Sequence, residues 1–179
     1  MSSHSFYSFP YKRHGDHITN HSLANLLNEV RPLVSDTDLH LLPLALQTVE
    51  CILVKNPKTI DDIKTSILPT LFCLIQSPLL QGSSLNSLLN LFAALAKASP
   101  SDYQFLVRGL VDPLLAAKKS NVSAGSATAV TNKQAASTVA QCVAVLAANT
   151  SESNCKETTT QFQSYILVRT MYMHMNQKF

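Results

Sequence analysis

Apolar residues return to one side of a helix three times along this chain. Leu42, Leu46, Val49 and Ile52 are spaced by four, three and three residues, as are Leu85, Leu89, Phe92 and Leu95, and again Ala135, Val139, Cys142 and Val145. A helix turns by about 100° per residue, so each set lies on a single face and predicts an amphipathic helix with one buried stripe. Each predicted helix runs into a polar stop, at Asn56-Pro57, Ser99-Pro100 and Asn149-Thr150, and these stops lie 43 and then 50 residues apart. Two-helix units of the HEAT and armadillo kind repeat at roughly 40 to 47 residues.

The helix before each of these repeats as well. Leu26, Val30 and Val34 align with Ile63, Ile67 and Leu71 and then with Val107, Val111 and Leu115, and Pro32, Pro69 and Pro113 fall in register. A proline within a helix removes a backbone hydrogen bond and crowds the preceding turn, so the register predicts one bend used three times. Ser35-Asp36-Thr37-Asp38 and Gly82-Ser83-Ser84 supply N-cap oxygens before two of the second helices, and Asp61-Asp62 set negative charge in the first turn of another. The expected fold is therefore all-α, an α-solenoid of HEAT-type antiparallel pairs with about three pairs and a partial fourth. The fourth begins near Thr158, with Phe162, Ile166 and Met173 close to helical spacing.

The expected boundaries follow from the same pattern. Residues 1–18 read as a polar, mobile tail and residues 19–166 as the solenoid, with a mobile insertion near 117–131 that opens at Lys118-Lys119-Ser120; residues 167–179 diverge from the pattern. A helix pair cannot bury its apolar face alone, so the last helix is expected to expose surface that a further unit would cover.

Composition supports a packed helical domain: of 179 residues, 46% are hydrophobic, 14% are charged and only four are glycine. The net charge of +3 is spread along the chain with no basic stripe, which argues against nucleic acid as a partner. Apolar runs such as Leu41 to Leu46 are interrupted long before the roughly 20 residues of a membrane span, and residues 1–20 lack a secretory apolar core. An intracellular setting is expected on that ground, with Asn20, Asn121 and Asn149 in unused glycosylation patterns. Cys51, Cys73 and Cys142 sit in apolar helical patterns as reduced, core-facing thiols, while Cys155 falls in a polar loop.

Candidate chemistry is sparse. His14, His17 and His21, with His4 upstream, are the one group that invites a zinc reading, but three histidines without cysteine, next to Gly15 and without apolar support, fit a solvated tail better. His40 precedes an apolar helix with no nucleophile partnering it in sequence, and adjacent Asp61 and Asp62 diverge around the helix and cannot share a substrate. No phosphate loop, Cys-x-x-Cys pair or nucleophile elbow is present. The expectation is a protein with no enzymatic activity, cofactor, metal or small-molecule substrate.

Several segments carry a resemblance to a known family. Ser77-Pro78-Leu79-Leu80-Gln81-Gly82 followed by Ser87-Leu88-Leu89, Asn132-Lys133-Gln134-Ala135 leading to Ala140-Gln141-Cys142-Val143-Ala144, and the turn Ser35-Asp36-Thr37-Asp38-Leu39-His40 resemble the cullin-associated and neddylation-dissociated proteins, all-HEAT regulators of cullins. The resemblance covers roughly His17 to Ile166 and looks like a slice from the later part of the solenoid. It implies binding to a cullin-RING ubiquitin ligase, through cullin and RING subunit. It also implies a preference for cullin lacking the ubiquitin-like modifier, a role in exchanging substrate-receptor modules of SCF-type complexes, and a cytoplasmic and nuclear location. Nothing here matches the projecting hairpin with which the family displaces the adaptor. The alternative is a HEAT scaffold for an unrelated protein, with no cullin binding of its own.

Solenoids bind through exposed helix faces and turns, so polar residues outside the apolar stripe are the contact candidates. They are Glu50, Lys55, Gln81, Asn86, Asn90 and Lys97.

Overall fold

The computed structural model describes residues 20–120, 126–157 and 160. Helix α1 (Asn20–Val30) runs into a 3-10 turn (Arg31–Leu33) and is followed by α2 (Leu42–Lys55). A second 3-10 turn (Pro57–Thr59) leads to α3 (Ile60–Ser66), α4 (Leu68–Leu74) and α5 (Gly82–Ala98). A third (Pro100–Asp102) precedes α6 (Tyr103–Ser120) and α7 (Ser126–Ala148). No strand occurs among the described residues. Helices α2, α5 and α7 stack side by side as one layer, and α1, α3 with α4, and α6 form the other, with the core between them. This is the expected α-solenoid of HEAT-type pairs.

The repeat is visible in the backbone itself. Asn56 ends α2 at φ −133° and ψ 79°, and Ser99 ends α5 at φ −141° and ψ 81°. The amide of each donates back into its helix, to Ile52 at 2.9 Å and to Leu95 at 3.0 Å, and the carbonyl of each then accepts from the residue three further on, Thr59 or Asp102. Proline follows both, fixing the φ that starts the 3-10 turn. All three predicted stops therefore fall where helices end, at Lys55, Ala98 and Ala148.

The prolines do not produce one recurring bend. Pro32 falls where α1 is already ending and sits in a 3-10 turn; Pro69 follows a break at Ile67 that separates α3 from α4; Pro113 lies inside the continuous α6. Each removes the N–H that would have bonded four residues back, but only the middle unit gives way to a full break.

Capping agrees in one place and not in the other. The Asp38 carboxylate accepts from the amides of His40 (3.0 Å) and Leu41 (3.2 Å), capping the turn that leads into α2. No side chain caps α5, whose preceding residue Gln81 is extended; Gly82 takes φ +57°, the left-handed region open to glycine, and Ser84 is buried instead. Asp61 and Asp62 do occupy the first turn of α3.

The segment 117–131, expected as a loop, is helical at 117–120 and 126–131. The extra length of the third unit lengthens helices: α7 has 23 residues where α5 has 17. Cys155, expected in a loop, lies in a helical turn at 152–157, and Cys73 is exposed, not core-facing. The tail at 1–18, the end at 167–179, and Phe162, Ile166 and Met173 lie outside the described residues.

Candidate partner-binding surface

Hydrogen bonds spaced by about one unit hold neighbouring pairs in a fixed relation. The Ser77 hydroxyl donates to the Asp36 carboxylate at 2.6 Å, joining the turns of the first two units. The Gln47 amide of α2 donates to the Ser87 hydroxyl of α5 at 3.2 Å. On the opposite rim the Lys64 ammonium donates to Asp102 at 2.7 Å, and the Ser99 hydroxyl donates to the same carboxylate at 2.6 Å. The bond from Lys64, reinforced by that from Ser99, holds the Asp102 carboxyl below the usual carboxylate range, and the same bond to Asp102 raises Lys64. Asn154 donates to the Pro100 carbonyl at 2.9 Å, carrying the ties past α7.

Burial around the second helices shows how the layer is built. In α2 the stripe Leu42, Leu46, Val49 and Ile52 is fully buried. In α5, Phe92 and Leu95 are buried while Leu85 and Leu89 are only half-buried, and Ser84, Ser87, Leu91 and Ala94 are buried in addition. The reason is position: α5 is the middle helix and turns a second flank onto α2. In α7, Ala135, Val139 and Cys142 are buried and Val145 is half-buried. The residues one 50-residue step beyond Ser87, Leu91 and Ala94 are Ser137, Gln141 and Ala144, and these are exposed.

The seam between α5 and α7 is therefore more open than that between α2 and α5. On its other wall, Asn86 and Asn90 of α5 are exposed while their counterparts one 43-residue step back, Pro43 and Gln47 of α2, are half-buried; Lys97 is exposed, as is its counterpart Val54. The six contact candidates accordingly divide. Asn86, Asn90 and Lys97 share the open flank of α5; Glu50 is half-buried on α2 and Lys55 exposed at its end; Gln81 lies in the turn before α5, its amide donating to the Pro78 carbonyl at 3.0 Å. Sequence reasoning missed Ser137, Gln141 and Ala144, because the repeat register assigns them to a packed flank.

Apolar side chains also reach solvent on one rim. Leu33, Leu39, Leu41 and Leu79 are all exposed in or beside the turns joined by the Asp36–Ser77 bond. His40 is exposed in the same turn.

Among the described residues no group of three His, Cys, Asp or Glu side chains stands close enough to hold a metal ion, and no helix is long and apolar enough to cross a membrane. His4, His14 and His17 lie outside the described residues, as does the side chain of His21.

No protein-family model matches the chain. It is similar to cullin-associated NEDD8-dissociated protein 1 of Drosophila melanogaster, with 38% identity over 134 aligned positions covering 69% of this chain and 11% of the relative. It is also similar to the protein of the same name from Arabidopsis thaliana, with 34% identity over 149 positions covering 81% of this chain and 12% of the relative. The chain thus spans about an eighth or less of the length of these curated relatives.

Proposed function

Because the chain belongs to the cullin-associated NEDD8-dissociated protein family, we propose that it is a non-catalytic protein-binding stretch of HEAT-type pairs whose partner is a cullin. The observation that supports this most is the alignment: identity of 34–38% runs across most of the solenoid, and the relatives are named for cullin association. The described polar ties join neighbouring pairs, and stacked pairs are what present an extended contact surface. In this reading it favours cullin lacking the ubiquitin-like modifier, in complex with its RING subunit, and contributes to exchange of substrate receptors in SCF-type ligases. The setting is the cytoplasm and nucleus. Contact falls to the exposed polar candidates Lys55, Gln81, Asn86, Asn90 and Lys97, with Glu50 at their margin.

The test is capture of purified unmodified and modified cullin-RING complex by the immobilised chain at about 0.15 M salt, where nonspecific charge attraction is screened. Selective retention of the unmodified complex is the expected result. A folded, helical sample that retains neither form would overturn the cullin reading.

A further inference from the structure

We propose that the open seam between α5 and α7 is a docking groove for an extended, acidic peptide segment of a partner. Three observations converge on it. The first is the exposure of Asn86 and Asn90 on α5 and of Ser137, Gln141 and Ala144 on α7, at positions whose repeat counterparts on the α2–α5 seam, Pro43 and Gln47 of α2 and Ser87, Leu91 and Ala94 of α5, are half-buried or buried. The period of 50 in place of 43 and the 23-residue α7 set this seam apart from the first.

The second is the chemistry of the walls. Side-chain amides at Asn86 and Asn90 each offer donors and an acceptor, as a peptide group does, and Gln141, whose Nε2 donates to the Ser137 carbonyl at 3.5 Å, keeps a second N–H and its acceptor, so they match the main chain of an extended segment whatever its side chains. The small Ser137 and Ala144 leave room for that main chain to approach. From Asn86 to Lys97 the flank runs about 17 Å along the helix axis, the reach of about five extended residues.

The third is charge. The described charge on these flanks is the exposed Lys97, and neither α5 nor α7 contains an acidic residue. A segment carrying carboxylates is steered to such a groove and a basic one is repelled.

The inference rests on the reading of the chain as a protein-binding module but not on the identity of the cullin. It is tested by fluorescence anisotropy of the full chain with a labelled peptide of alternating Glu and Thr, against a matched peptide of alternating Lys and Thr, at about 0.15 M salt. Saturable binding of the acidic peptide alone is expected. Lys97→Glu and Asn90→Ala should each weaken it about tenfold or more while leaving the helical signal and melting curve unchanged, because both side chains are exposed. The proposal is overturned if the acidic peptide does not bind, if the basic peptide binds as well, or if both variants bind like the parent. Cullin capture with the same samples separates the two readings: capture without peptide binding removes the groove and leaves the cullin reading standing, and peptide binding without capture does the reverse.

Discussion

The outer edge of the Phe72 ring occupies the space where a β-carbon on Gly109 would stand, so α4 and α6 meet through a ring laid against bare backbone. Alanine is the better helix former by about 1 kcal/mol, and on propensity alone Gly109→Ala would stabilise α6. The added methyl displaces Phe72, and overpacking of that kind costs about 1–3 kcal/mol. The expected net effect is a loss of about 1 kcal/mol in urea denaturation. Shortening the ring in Phe72→Leu should make the same Gly109→Ala change neutral or favourable; equal effects in both backgrounds would contradict the contact.

Thr138 is fully buried on α7, and among the described residues its hydroxyl meets no hydrogen-bond partner. Leaving a buried hydroxyl unpaired costs about 1–3 kcal/mol, and valine keeps nearly the same shape without the polar atom. Thr138→Val is therefore expected to raise stability by about 1 kcal/mol, seen as a rise of about 2–4 °C in the thermal midpoint. A fall in midpoint would mean that the hydroxyl has a partner in solution.

Much of the architecture was legible in the residues because its causes are local. The stops at Asn56, Ser99 and Asn149 fall at the ends of α2, α5 and α7, and the stripe of α2 is buried as its spacing requires. What a single helix pattern does not carry is the number of neighbours a helix has. The spacing assigns Leu85 and Leu89 to the core with Phe92 and Leu95, yet α5 buries Ser84, Ser87, Leu91 and Ala94, with Ser87 bonded to Gln47 of α2, and leaves those two leucines half-buried. The aligned prolines were equally ambiguous, since what a missing N–H does depends on the surrounding packing. The candidate surface was half legible: Asn86, Asn90 and Lys97 stand out as polar positions on an apolar helix, while the exposure of Ser137, Gln141 and Ala144 departs from the buried places that the repeat register gives them.

The Lys64–Asp102 bond predicts a pH window. Asp102 is lowered, chiefly by the bond from Lys64, so its contribution is present above the ordinary carboxylate value and is lost as pH falls through the lower folded value. Lys64 is raised from 10.5 by the same bond, so its contribution is present below that value and is lost as pH rises through the higher folded one. Both side chains are about a quarter exposed, which limits the pair to about 1 kcal/mol or less. Lys64→Met should therefore lie below the parent by that amount near neutral pH, and the gap should close at both acid and alkaline extremes. A gap that persists in strong acid would assign the loss to packing of the lysine stem.

The cysteines give a direct probe of how tightly α7 sits. Alkylating reagents take the thiolate, and burial pushes the Cys142 thiol from 9.0 up to about 12, which lowers its thiolate population about a thousandfold at a given pH. Cys142 is also fully buried, whereas Cys73 is exposed. In the native protein at about pH 8, mass spectrometry should find Cys73 modified well before Cys142, with Cys142 reacting at the rate of unfolding and rising steeply with urea. The openness of the α5–α7 seam would then be confined to its outer flank, with the Cys142 side of α7 held in the core. Comparable labelling of Cys142 and Cys73 without denaturant would instead mean that α7 swings away as a unit, and the groove between Asn90 and Gln141 would be one frame of a larger opening.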